Sequence, residues 1–314
     1  MLLAKNLDWP ISDGIIFVNE RGEERQSLCA SRGEKLTWTA TYGSVTLNQF
    51  GRGFPLGGMN EAGLVVEELS YSPSQYPAPD ERAALPDMQW IQYQLDNHST
   101  VQHVIESDAF LRPTRLIAHL HFMVADRSGA VAVIEFLEGR MVYYTGEQLP
   151  APALSNNSYE NLIKYLGRHA GFGGERLVSD GPESQERFVR AATMLKNKPP
   201  LDNAANIDYA FKILNNVAQH DTQWRIVYDV QRLQIYFRYQ AEEQRAQLNF
   251  KTMNFDQSLH LPIQAYAGDV TKAFETYEPQ TNIELLENVF QQLVDLDELD
   301  NKTAQHLILR LSNH

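Results

Sequence analysis

Through the first 150 residues, short apolar and β-forming blocks separated by polar, turn-forming residues read mostly as strands. Ile15-Ile16-Phe17-Val18 is a compact apolar run, Lys35 to Tyr42 is rich in β-formers, and Ser44-Val45-Thr46-Leu47 resumes the pattern after Gly43. Gly57-Gly58 leads into a turn-like block, Met59-Asn60-Glu61-Ala62-Gly63, and Leu64 to Leu69 reads as the next strand. Four prolines between Ser72 and Pro86 predict a long surface loop. The period then becomes helical. Met88, Ile91, Gln92 and Leu95 recur on one face over Asp87 to Asp96, and Ser99-Thr100 caps a helix over Val101 to Ser107. A meander follows: His121 to Asp126, Ala130 to Phe136 and Met141 to Tyr144, joined by glycine-containing turns.

Beyond Leu149 helical spacing dominates, over Asn161 to His169, Glu186 to Lys196 and Ile207 to Val217, with the glycine-rich stretch Gly171 to Gly174 between the first two. Trp224 to Asp229 and Gln234 to Tyr239 form a hairpin. Glu284 to Leu311 is an amphipathic helical tail whose Leu285, Leu286, Val289, Phe290 and Leu293 stripe needs a partner face. There is no internal repeat, low-complexity tract or linker. Strands at both ends with helices between them predict an α+β layered domain.

Composition narrows the partners. With 43% hydrophobic and 21% charged residues the chain has a globular make-up, and no apolar run approaches a membrane span. Acidic residues outnumber basic ones 40 to 27, a net charge of -13. That balance argues against nucleic acid or an anionic membrane as partner, since both require a basic footprint. The single cysteine, Cys29, excludes an intrachain disulfide but leaves the compartment open. Met-Leu-Leu-Ala followed by Lys5 does not form a secretory leader. The protein is cytoplasmic or, with a leader removed upstream, periplasmic or secreted.

Several standard chemistries find no support. The sequence holds no G-x-S-x-G elbow, no H-E-x-x-H and no P-loop. His119 and His121 point to one face of a strand, but no third ligand stands near them, so neither a metal nor a cofactor is expected. Cys29 has no histidine close in sequence and reads as a small buried hydrophobe. What remains is a scattered polar set: Asn6, Asp8, Asn60, Asn156, Asn157 and Arg187. Each alone has a structural reading, as a turn, a cap or a surface residue.

Taken in order they carry a pattern. Lys5-Asn6-x-Asp8-Trp9, Tyr42-Gly43-Ser44-Val45, Gly58-Met59-Asn60-Glu61-Ala62-Gly63-Leu64, Ala125-Asp126-Arg127-Ser128-Gly129, Ser155-Asn156-Asn157-Ser158 and Glu186-Arg187-Phe188 resemble the choloylglycine hydrolase / penicillin V acylase family of linear amide C–N hydrolases. The resemblance runs from the first residues to about Phe255, and Leu214 to Ala218 and Thr222-Gln223-Trp224 share it. It implies an αββα four-layer sandwich of the N-terminal nucleophile type over residues 1–281, with 282–314 as a helical extension packed on it. It also implies hydrolysis of a small N-acyl amide without a cofactor, and a dimer or tetramer as the form in solution.

By position, the resemblance makes Asp8 the carboxylate that holds the terminal amine, Asn60 the oxyanion-hole asparagine, and Asn156 and Arg187 the remaining polar site residues. Lys5 stands where the family has an arginine and keeps its charge without its fork. Tyr71, Tyr76 and Phe172 are candidates for lining an acyl pocket. The family's attacking group is the thiol of a terminal cysteine, with its own α-amine as base. That cysteine precedes the Lys5 motif by a strand and a turn, whereas four residues precede Lys5 here. The expectation is therefore a cysteine upstream of Met1. The alternatives are a catalytically inactive binding protein on the same scaffold, or an attack by Cys29, which has no free α-amine.

Overall fold

The computed structural model describes residues 1–31, 33–264 and 266–312. Seven strands open the chain: β1 (Leu2–Asp8), β2 (Ile15–Asn19), β3 (Glu24–Ser31), β4 (Glu34–Thr39), β5 (Ser44–Asn48), β6 (Pro55–Asn60) and β7 (Val65–Ser70). β8 (Ala83–Pro86) runs directly into α1 (Asp87–Asn97) and α2 (Val101–Glu106). β9 (Leu111–Thr114) precedes the meander β10 (Leu120–Ala125), β11 (Val131–Leu137) and β12 (Arg140–Thr145). Helices α3 (Tyr159–Leu166), α4 (Ser184–Lys196) and α5 (Asn203–Asn216) come next. The chain then forms β13 (Thr222–Asp229), β14 (Gln234–Tyr239), β15 (Ala246–Asn249), β16 (Leu259–Pro262), and the two-residue strands β17 (Gly268–Asp269) and β18 (Glu275–Thr276). It ends in α6 (Pro279–Asp295) and α7 (Asn301–Ser312).

Two sheets face each other. One has nine strands in the order β12-β11-β10-β7-β6-β5-β2-β16-β18, the other five in the order β1-β13-β14-β15-β17. On the outside of the larger sheet, Trp90 of α1 packs its ring 4.8 Å from Phe122 and 6.5 Å from Phe136. On the outside of the smaller one, Ile207, Phe211 and Leu214 of α5 pack with Leu2, Ala4, Val227 and Tyr236. The result is the αββα layering. Because the larger sheet is the wider, part of its second face is covered by helices instead. Val133 of β11 is buried among Tyr159, Leu162, Phe188 and Val189 of α3 and α4.

Alternation along β1 decides what each residue can reach. Leu3, Lys5 and Leu7 are buried between the sheets, while Leu2, Ala4, Asn6 and Asp8 face the helix side. Three elements differ from the sequence pattern. The tail is two helices, because Asp297 adopts a left-handed φ of 57° and the chain folds back so that α7 buries Ala304, Leu307 and Leu311. The α6 stripe packs on the body, with Phe290 6.0 Å from Phe50. β3 escapes the hydrophobic pattern because its Glu-Arg-Gln-Ser-Leu-Cys-Ala-Ser sequence is mostly polar, and it pairs with β4 in a separate hairpin. The proline-rich loop also closes earlier than expected, in β8, which pairs with β9.

Gly58 lies where β6 crosses close to β5. A Cβ there would stand 2.5 Å from the backbone oxygen of Val45, which cannot move without disturbing the ladder. Gly58→Ala should therefore destabilise the fold by roughly 1–3 kcal/mol, read as a lowered thermal midpoint.

Candidate active site

Asp8 ends β1, and both its oxygens are engaged. Oδ1 accepts from the Thr222 hydroxyl at 2.5 Å, and Oδ2 accepts from Gln219 Nε2 at 3.1 Å and faces Arg187 Nη1 at 3.4 Å. Arg187 continues the chain of contacts, donating through Nη2 to Asn156 Oδ1 at 2.9 Å and through Nε to the Pro182 carbonyl at 3.1 Å. Asn156 in turn donates through Nδ2 to the Ser70 carbonyl at 3.0 Å. Burial pulls the Arg187 guanidinium below its ordinary value, with Asp8 opposing that shift. The ends of β1 and β7, the lead-in to α3 and the first turn of α4 thus converge on one polar cluster.

Local sequence explains why these segments meet. Ser158 caps α3 by accepting from Asn161 N at 3.4 Å. Ser155 donates to the Ser184 carbonyl at 2.8 Å, and Ser184 Oγ donates back to Ser155 Oγ at 2.9 Å. This reciprocal pair ties the residue before Asn156 to the start of α4, one turn from Arg187. On the other side, Glu135 Oε1 accepts from Tyr159 N at 2.9 Å and stands 3.3 Å from His121 Nδ1. Burial lowers the His121 pKa against the pull of Glu135.

Two of the sequence-predicted residues are placed elsewhere. Lys5 is three positions from Asp8, hence on the opposite face of β1, and is buried between the sheets. Its ammonium lies 3.0 Å from both Glu67 Oε2 and Glu68 Oε1 and donates to the Leu56 carbonyl at 3.3 Å. Burial would lower its pKa, but the two carboxylates outweigh burial and hold it above the ordinary lysine value. Glu67, also bonded to the Tyr228 hydroxyl, is pushed up by burial despite Lys5. Gly57 makes room for this group, since a Cβ there would fall on the Glu67 carboxylate.

Asn60 is fully buried at the opposite end of the β6–β7 hairpin, five strand positions from Ser70 along β7. Nδ2 donates to the carbonyls of Leu95 and His98 at 2.8 and 2.7 Å, and Oδ1 accepts from Leu64 N at 2.9 Å. Its amide is consumed by fastening the hairpin turn to the end of α1, which leaves no side-chain donor for an oxyanion. The expected grouping of Asn60 with Asp8, Asn156 and Arg187 is therefore corrected: the structure does not bring it to them.

The aromatic candidates divide as well. Tyr71, next to Ser70, stacks on His121 at 4.9 Å. Tyr76 stacks on His119 at 5.9 Å and donates to Asp87 Oδ2 at 3.1 Å. The His-x-His pair is thus a platform for two tyrosines. Phe172 lies under the Lys196 ammonium, 4.7 Å from ring centre to nitrogen, and packs with the α3–α4 cluster. Cys29 is in the β3–β4 hairpin, outside both large sheets. Sequence reading passed over Ser70, Gln219 and Thr222. Thr222 opens the Thr-Gln-Trp motif, whereas Ser70 carried no signal beyond ending a strand.

Two measurements check these assignments. Asn60→Ala strands a buried N–H and two carbonyls, so urea unfolding should show a loss of about 2–3 kcal/mol. Burial pushes the Asp87 carboxyl up from 3.8 to about 7, opposed by the N–H of Met88. Between those two values the folded chain keeps a proton that the unfolded chain has released, so this group's contribution to stability falls as pH rises through that range. The stability of Asp87→Asn relative to the parent should therefore rise between about pH 4 and about pH 7 in urea titrations.

A family model described as linear amide C–N hydrolases, choloylglycine hydrolase family, matches residues 1–179. Penicillin V acylase from Pectobacterium atrosepticum is 29% identical over 181 residues, 52% of this chain, and the match spans about half (48%) of that curated relative's length. The structure of penicillin V acylase from Agrobacterium tumefaciens aligns with a TM-score of 0.76 at 25% identity, covering 88% of this chain and 94% of that one. A variant of conjugated bile acid hydrolase from Clostridium perfringens shares the fold, with a TM-score of 0.66 at 19% identity over 85% of this chain and 94% of that one. With more than half of its length matched by the family model, the chain belongs to the choloylglycine hydrolase family of linear amide C–N hydrolases.

Proposed function

We propose that this protein hydrolyses the linear amide bond of a small N-acyl compound, with Asp8, Arg187 and Asn156 as the polar frame of the site. The observation that carries the reading is their convergence: residues up to 179 positions apart form one hydrogen-bonded series from Asp8 through Arg187 to Asn156. Penicillin V, the compound named by the acylase relatives, supports an N-acyl amide as the substrate class.

In this reading the attacking group is the thiol of a terminal cysteine upstream of Met1. β1 borders the five-stranded sheet with one edge unpaired among the described residues, which offers pairing for a further strand. The α-amine of that cysteine takes the thiol proton, and the Asp8 carboxylate, already fixed by Thr222 and Gln219, orients the resulting ammonium. The thiolate adds to the acyl carbon, the C–N bond breaks, and the amine leaves with the proton. Water then cleaves the thioester and releases the acid. Asn156 has one amide hydrogen directed at Ser70 and a second available to the developing oxyanion.

Assays of the natively purified protein with penicillin V test this. Asp8→Asn and Arg187→Ala should each lower kcat/KM by about 10²–10³-fold, the scale for losing one preorganised electrostatic contact. Variants that stay within about twofold of the parent would reject these assignments. Binding of the compound without turnover would favour a non-catalytic binding protein.

A further inference from the structure

We infer that Glu135 and His121 are positioning residues that fix Asn156 against the Ser70 carbonyl. Two routes from this pair reach the same asparagine. Along the first, the Glu135 carboxylate takes the Tyr159 N–H at 2.9 Å and so anchors the first turn of α3, three residues beyond Asn156. Along the second, His121 stacks on Tyr71 at 4.9 Å and 18° between ring planes. Ser70, the residue before Tyr71, supplies the carbonyl that accepts from Asn156 at 3.0 Å.

The routes close into a ring that runs from Glu135 through Tyr159, Ser158, Asn156, Ser70, Tyr71 and His121 back to Glu135 at 3.3 Å. Glu135 and His121 are both fully buried and lie directly opposite each other on β11 and β10. Both contacts fall on Oε1, one from the strand beside it and one from the helix above it, and Oε2 has no hydrogen-bond partner among the described residues. Displacing either partner lets the start of α3 slide over the sheet, and Asn156 with it. Neither residue touches the Asp8–Arg187–Asn156 series itself, so any effect on it passes through position and not through contact.

The catalytic half of this assignment rests on Asn156 serving the hydrolase proposed above, whereas the structural half does not. The test therefore pairs two readouts on the full chain. Asn156 is solvent-exposed, with one amide hydrogen held by the Ser70 carbonyl; in protein labelled with isotopic asparagine that hydrogen, identified by its loss in N156A, should exchange roughly tenfold faster in E135A, the effect of losing one hydrogen bond. E135Q, which keeps an acceptor for Tyr159 N, should restore the parent's exchange rate. With penicillin V as probe, E135A should lower kcat about 10²-fold with KM within about threefold of the parent. In the N156A background the same change should cost less than about twofold.

Unchanged exchange in E135A overturns the inference, as does a full further loss of kcat on top of N156A. Faster exchange in a parent protein that turns over no amide supports the positioning and rejects the hydrolase reading. If E135A does not fold, His121→Leu is measured in its place, and an Asn156 amide as protected as in the parent overturns the inference by the other route.

Discussion

A carboxylate in the interior of a nine-stranded sheet must find partners, and much of this site follows from how Glu135 finds them. Water cannot reach it, and its Oε1 meets the His121 imidazole on the next strand and the first turn of α3, while Oε2 has no hydrogen-bond partner among the described residues. That turn is where a helix presents unsatisfied N–H groups and the positive end of its dipole. One electrostatic demand thereby sets the start of α3 on the sheet beside β7. Ser155 and Ser184 then carry the constraint to α4, and Arg187 arrives facing both Asn156 and Asp8. The width of the larger sheet is what makes this arrangement available, since the smaller sheet leaves β10 and β11 for helices to cover.

Much of the fold was legible in the residue pattern. A compact apolar run marked β2, alternation marked β5, turn-bounded apolar blocks marked β7 and the β10–β12 meander, and helical spacing marked α1, α4 and α5. The misses have physical reasons. β3 is polar along most of its length and is held by pairing with β4, not by a buried face. The break before α7 depends on a left-handed residue, Asp297, that sequence spacing does not announce. For the proposed site, Asp8, Asn156 and Arg187 were singled out through the family's motifs, and no local pattern joins them. Asn60 shows the limit of a motif: the block that contains it is distinctive because it builds a turn, and the turn consumes its side chain. The separation of Lys5 from Asp8 was in principle readable. Residues three apart in a strand face opposite ways.

Lys5 therefore sits in a different electrostatic setting from a free cation beside a thiol. Its ammonium is shared by two carboxylates between the sheets, and Tyr228 bonds to one of them. Removing three charged groups from water is costly, and such clusters stabilise only when every member is paired. Here the pairing is dense, and one carboxylate, Glu67, is held toward its protonated form. Lys5 reads as a tie between the sheets beneath the site, while Asp8 and Arg187 present the polar surface above it.

Intact-mass spectrometry of the protein purified from its native source, before and after brief exposure to penicillin V, tests the central claim most directly. The account predicts a terminal cysteine upstream of Met1 and a transient gain of one phenoxyacetyl group localised to that residue. A native terminus other than cysteine, with no acyl adduct trapped on the chain, would contradict it.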